Sequence, residues 1–214
     1  MKVYHYTHIE RWPEIKSSLQ TEGHKTGLVA HRQLGKVNNE AWNTKAVFAL
    51  LEPKPQAWVL NPYFKETWRR LLKYTGTLLT EIEVNPQTDT NLFVVDRAHL
   101  QGFWTESKND IPQKYLHPVL LLAENAYIKS KVHLNEYLNR ESEFNYCLPE
   151  IIITEDIPPE RVSICPVQPF VERLLQDAHF NLPNYRTILE IPELKELHVL
   201  CQQKIAERKI SRFA

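Results

Sequence analysis

The sequence predicts an α+β fold on three observations: short apolar runs with strand character through the middle of the chain, helical spacing of apolar residues at both ends, and no regular strand-helix-strand alternation of the kind a doubly wound parallel sheet requires. Hydrophobic residues make up 43% and charged residues 24% of 214 residues, the proportions of a chain that can bury a full core. The simplest organisation is one domain over residues 1–168 with a helical extension over residues 169–214 packed on it.

Val3 to Thr7 reads as a first strand, and Ile9, Trp12, Ile15 and Leu19 recur at helical spacing after it, with Pro13 suited to the first turn. The polar stretch from His24 to Thr44 lacks periodicity and reads as a long functional loop. Ala46 to Leu51 is a buried-strand candidate stopped by Pro53 and Pro55, and Phe64, Trp68, Leu71 and Leu72 predict a helix over Tyr63 to Tyr74. After Gly76, Leu78 to Val84 alternates as a half-exposed strand, and Leu92 to Val95 follows across an Asn-Pro turn. Further strands are expected at Val119 to Ala123, Ile151 to Thr154 and Arg161 to Ile164. Leu134 to Arg140 reads as a short helix, Phe170 to Ala178 as another, and Glu193 to Lys209 as the last.

The charge balance excludes some classes of function. Lys plus Arg equals Asp plus Glu at 26 each, so no global field draws the chain to nucleic acid or an anionic membrane. Cys147, Cys165 and Cys201 have no CxxC spacing, which argues against a disulfide framework or a Cys-rich zinc site and favours a reducing, cytoplasmic compartment. No apolar run is long enough to span a bilayer and no signal peptide is visible, although a bacterial effector secreted without such a signal would look the same. With five glycines the chain lacks GxSxG, P-loop and Rossmann fingerprints, and its nine histidines show no HExxH, so no metal is expected. The five tryptophans read as core and edge aromatics, Trp42 in the polar loop excepted. The basic run Lys204 to Arg212 reads as a solvated helix end.

Two features carry candidate chemistry. In Tyr4-His5-Tyr6-Thr7, His5 and Thr7 share one face of a strand and form a polar corner able to hydrogen-bond a ribose; the same pattern fits a half-buried strand whose polar side chains meet solvent. In Leu148-Pro149-Glu150-Ile151-Ile152-Ile153, a carboxylate stands at the threshold of a β-branched strand. There its charge is costly unless a cation or hydroxyl meets it, or unless it turns to solvent.

In this order and separation, these features resemble the ADP-ribosyltransferase-like superfamily, especially its branch of DarT-type DNA-modifying toxins and, more distantly, RNA 2'-phosphotransferases. In that branch an early H-x-T follows a strand, a helix and a Gly-Leu step come next, and a catalytic glutamate opens a late strand ahead of a segment like Asp156 to Val162. The matching residues are His5, Thr7, Gly27, Leu28 and Glu150. The match runs over roughly residues 3 to 165, specific at its two ends and carried by element order between them.

The resemblance implies a catalytic domain of two small mixed β-sheets that form a cleft for NAD+, flanked by helices. It implies that His5, Tyr6 and Thr7 grip ribose or nicotinamide, that Phe48 stacks on nicotinamide, and that Arg32 holds the pyrophosphate, with an ordinary core phenylalanine and a solvated arginine as the plain alternatives. Glu150 would bond the ribose 2'-hydroxyl and stabilise the oxocarbenium-like state as nicotinamide leaves. On this reading His5 and Glu150 share one pocket. Leu148 stands where the arginine-modifying branch carries the first glutamate of E-x-E, so arginine is not the expected acceptor. A nucleic acid or protein acceptor is, chosen by the segment Arg140 to Tyr146, with an antitoxin or host factor as a further partner. The alternatives are a catalytically silent fold that binds a nucleotide or protein, and an RNA 2'-phosphotransferase-like enzyme.

Overall fold

The computed structural model describes residues 1–16, 46–61, 64, 68, 71–72, 75–100, 113–170, 173–174 and 192–211. Two small antiparallel sheets and flanking helices make it an α+β fold. β1 (Lys2–Thr7) pairs with β3 (Leu78–Glu83), which pairs with β7 (Val162–Ile164). The other sheet runs β2 (Val47–Ala49), β6 (Pro149–Ile153), β4 (Leu92–Asp96), β5 (Val132–His133). Among the described residues a single isolated bridge joins the two sheets: Tyr4 N donates to Leu50 O at 2.9 Å and Leu50 N to Tyr4 O at 2.7 Å.

Every described pairing is antiparallel, which corrects the expectation of mixed sheets. These strands have two to six residues, and antiparallel ladders hold somewhat better per residue than slanted parallel ones.

Alternation assigns the faces. Val3, Leu78, Ile82 and Val162 of one sheet and Val47, Ala49, Leu92, Val94, Ile151 and Ile153 of the other share the main core. Ile9, Trp12 and Ile15 close it from the 3-10 turn Ile9–Arg11 and α1 (Trp12–Lys16). Pro13 lies in the first turn of α1, as its lack of an N–H allows, and Leu19 lies outside the described residues. On the opposite face, Tyr6, Leu50, Leu79 and Leu148 pack with Trp68, Leu72 and Trp58, the last from α2 (Gln56–Leu60). Beside them Phe48, Val95 and Ile152 pack with Leu100 and Tyr127.

Two element expectations are corrected. Val119 to Ala123 is not a strand but the middle of α3 (Gln113–Lys129). A five-residue apolar run has no period that separates a strand from a helix turn, and Pro118 just before it is exposed inside the helix. β3 is not half exposed: Leu78 to Ile82 are all buried, because the strand is central and is covered by the main core on one face and the Tyr6 cluster on the other. Its alternation of Thr80 and Glu81 with aliphatics is met by partners. Thr80 Oγ1 donates to His5 O at 2.9 Å, and the Lys2 ammonium pairs with the Glu81 carboxylate.

Gly76, two residues before β3, has φ +95, with space for a Cβ blocked at 2.3 Å by the Thr7 carbonyl oxygen. Only glycine meets both conditions, so it sets how closely the start of β3 approaches the end of β1. α4 (Leu134–Asn139) and α5 (Glu141–Phe144) precede β6, and the left-handed Asn145 (φ 49) turns Tyr146 back to stack on Tyr137, ring centroids 5.3 Å apart. In α6 (Pro192–Ser211), Leu194, Leu197 and Cys201 lie on one face and enter the main core. The C-terminal helix thus shares its apolar interior with the strands. The Gln168 side chain prolongs the β3 edge beyond β7: its amide accepts from Leu79 N at 3.0 Å and donates to Leu79 O at 2.9 Å.

Candidate active site

Glu150 enters β6 one residue after Pro149, and the alternation that buries Ile151 and Ile153 in the main core turns Glu150 to the opposite face, between Leu148 and Ile152. It is 2% exposed. Arg97 Nη1 pairs with Oε1, and Tyr127 OH donates to Oε2 at 2.8 Å. A cation and a hydroxyl therefore meet the carboxylate, and it does not turn to solvent. The Arg97 guanidinium lies over the fully buried Trp58, 5.9 Å from ring centroid to guanidinium carbon.

These partners come from distant elements held in place by buried polar bonds. Arg97 follows the last residue of β4, and its N–H donates to Leu148 O at 2.9 Å. The buried Asp96 carboxylate accepts from Ala98 N at 3.0 Å, Cys147 N at 3.1 Å and Leu148 N at 2.9 Å, tying the approach to β6 to the end of β4. Ser130 links the third party: Asp96 N donates to its Oγ at 2.9 Å, and that Oγ donates to Tyr127 O at 2.6 Å. Burial works against the Arg97 charge, but Glu150 outweighs it and raises the guanidinium further above its already high range. Burial and the Glu150 charge hold the Tyr127 phenol well above its ordinary value, so it stays a donor.

The bridge at Tyr4 extends into a row. Leu50 continues the β2 register in which Ala49 faces Ile151, so Tyr4, Leu50, Glu150 and Val95 succeed one another across both sheets. Tyr4 is the β1 residue on the Glu150 face of that row. His5 alternates to the other face, and its ring reaches the seam between the sheets, where Nδ1 lies 2.7 Å from the Phe48 carbonyl oxygen. Through this contact the His5 side chain reaches the β2 backbone two residues before Leu50, the partner of Tyr4 in the isolated bridge.

The remaining sequence candidates separate. Phe48 is half-buried against Ile152 and Tyr127, on the Glu150 face. Tyr6 is built into the aromatic cluster, 5.5 Å from Trp68, with its hydroxyl donating to Pro53 O at 2.5 Å. Burial raises its phenol, and its surroundings give it a packing role. Thr7 is 4% exposed at the end of β1. Gly27, Leu28 and Arg32, with the rest of the His24 to Thr44 loop and Trp42, lie outside the described residues. Leu148 is fully buried, which gives a packing reason for an aliphatic where an E-x-E motif would need a carboxylate.

Sequence reasoning missed Arg97 and Tyr127. Arg97 was legible in one respect: an apolar strand that ends in Asp96-Arg97 offers the cation that a buried Glu150 demands. Tyr127 lies in the helix whose Val119 to Ala123 stretch was expected to be a strand, beyond the end of that expectation. A scan of the chain against protein-family models, curated proteins and solved structures returns no match.

Proposed function

We propose that this chain is an NAD+-dependent ADP-ribosyltransferase-like glycosyltransferase that releases nicotinamide and passes ADP-ribose to a macromolecular acceptor, not preferentially arginine. The reading is carried by one observation: β1 with His5-x-Thr7, β2 with Phe48 and β6 opened by Glu150 are successive neighbours at the seam between two small sheets. A fold of the ADP-ribosyltransferase-like type accounts for that adjacency of segments far apart in the chain. In this role Glu150 accepts the ribose 2'-hydroxyl and stabilises positive charge at the anomeric carbon as the glycosidic bond lengthens. Its rigid polar surroundings favour such a role, because a fixed charge needs no reorganisation as the transition state forms.

A second reading, a catalytically silent fold that binds a nucleotide or protein, is favoured by the engagement of both Glu150 oxygens and by the alternation of His5 to the other face. Nicotinamide release separates the two. Purified protein incubated with NAD+, alone and with cell lysate as acceptor source, should release nicotinamide. Glu150→Gln should lower kcat at least about a hundredfold, consistent with the loss of one electrostatic stabiliser. His5→Ala should act chiefly through KM. Saturable NAD+ binding without release favours the silent module, and neither binding nor release sinks both NAD+ readings.

A further inference from the structure

We propose that Arg97 is the positioning residue of this site: together with Tyr127 it clamps the Glu150 carboxylate in one orientation, and it is the partner that gives way to an incoming ribose hydroxyl. The proposal rests on the reading of Glu150 as the catalytic carboxylate. Two donors arriving from different elements, one on each oxygen, leave Glu150 little rotational freedom. The two donors are not equivalent. Tyr127 is fully buried in α3, whereas the Arg97 side chain is 20% exposed in the turn after β4 and rests on the face of Trp58. Of the two partners, Arg97 is thus the one that lies nearer the surface. Displacement of Arg97 frees Oε1 while Tyr127 keeps Oε2 in place, so the carboxylate accepts a new hydroxyl without losing its aim.

Arg97 also supplies the only cationic contact to Glu150 among the described residues. Without it, a carboxylate 2% exposed and flanked by Leu148 and Ile152 keeps, among the described residues, the Tyr127 hydroxyl on one oxygen and is free to turn about that contact. The test uses the full chain as wild type, Arg97→Lys and Arg97→Met, with glutamate carboxyl carbons labelled for NMR and the Glu150 signal assigned from Glu150→Gln. Arg97→Met should move the Glu150 carboxyl signal at pH 7 away from its wild-type position and broaden it as the side chain samples several orientations, and Arg97→Lys should move it less. In parallel, nicotinamide release by Arg97→Met should fall at least about tenfold in kcat with KM changed less, and Arg97→Lys should recover part of that loss. A merely structural Arg97 would lower the fraction folded without changing kcat per folded molecule. An unchanged Glu150 signal in both variants overturns the clamp. A displaced signal in Arg97→Met, where the wild type releases no nicotinamide, supports the clamp and identifies the enzymatic reading as the part that failed. Should Arg97→Met not fold, Arg97→Lys and Arg97→Gln give the same comparison.

Discussion

Around Glu150, single side chains are placed by what a buried charge requires. The carboxylate is matched on both oxygens, and the Asp96 carboxylate that braces its partners accepts three backbone N–H groups. Asp89 is a smaller instance near the opposite end of β4. Its Oδ2 accepts from Asn85 N at 3.0 Å and pairs with Arg161, while its carbonyl oxygen accepts from His133 Nε2 at 3.2 Å. Because His133 Nδ1 accepts from Asn135 N, that ring is held in the tautomer with its proton on Nε2. Burial alone would raise the Asp89 carboxyl, but the Asn85 N–H and the Arg161 guanidinium outweigh it and hold it below its ordinary 3.8. Between the folded and unfolded values the unfolded chain binds more protons, so this stabilisation is present above 3.8 and is lost as pH falls through the lower folded value. Asp89→Asn should therefore make the acid limb of stability against pH shallower below that range and cost about 1 kcal/mol at pH 7, since both partners remain partly solvated. Urea unfolding at a series of pH values measures it, and an unchanged acid limb would count against the linkage.

Among elements, the seam between the sheets depends on how β1 is aimed. One bridge at Tyr4 and the His5 contact to Phe48 are the described links from β1 to β2, while β3 fixes β1 along its whole length. Gly76 controls that second pairing. Gly76→Ala adds a Cβ 2.3 Å from a backbone oxygen at a φ of +95, where no flexible side chain can move aside. It should destabilise by at least about 2 kcal/mol and shift amide signals of Thr7 and Leu78 more than those of β4. A variant as stable as wild type would show that the turn relaxes freely. The strands β1, β6 and β7 and the helices α4 and α6 were legible in the sequence because their periodicity or bounding prolines are local features. The helix over Gln113 to Lys129 was not, since the five-residue apolar run at its centre has no period that separates strand from helix.

For the molecule as a whole, the C-terminal helix enters the same core as the first strand. Leu194, Leu197 and Cys201 pack in the cluster that contains Val3 and Trp12, so residues 192–211 complete the interior that the strands begin. A chain ending at residue 191 should lose at least about 4 kcal/mol, from two buried leucines and a cysteine, and expose apolar surface to a hydrophobic dye. Urea and dye-binding curves that overlay those of the full chain would instead make the helix a dispensable appendage.

By itself the sequence determined the α+β class, the positions of the short strands at both ends of the matched region and the choice facing Glu150 between a polar partner and solvent, because each follows from neighbours within a few residues. Tertiary structure alone decided which partners arrive. Arg97 lies 53 residues from Glu150 and Tyr127 lies 23 away, and no local pattern encodes which strand returns beside β6. The same holds for His5. Its face on β1 could be read from alternation, but its place relative to Glu150 depends on the single bridge that sets β1 against β2, a pairing selected by the burial of both sheets in one core.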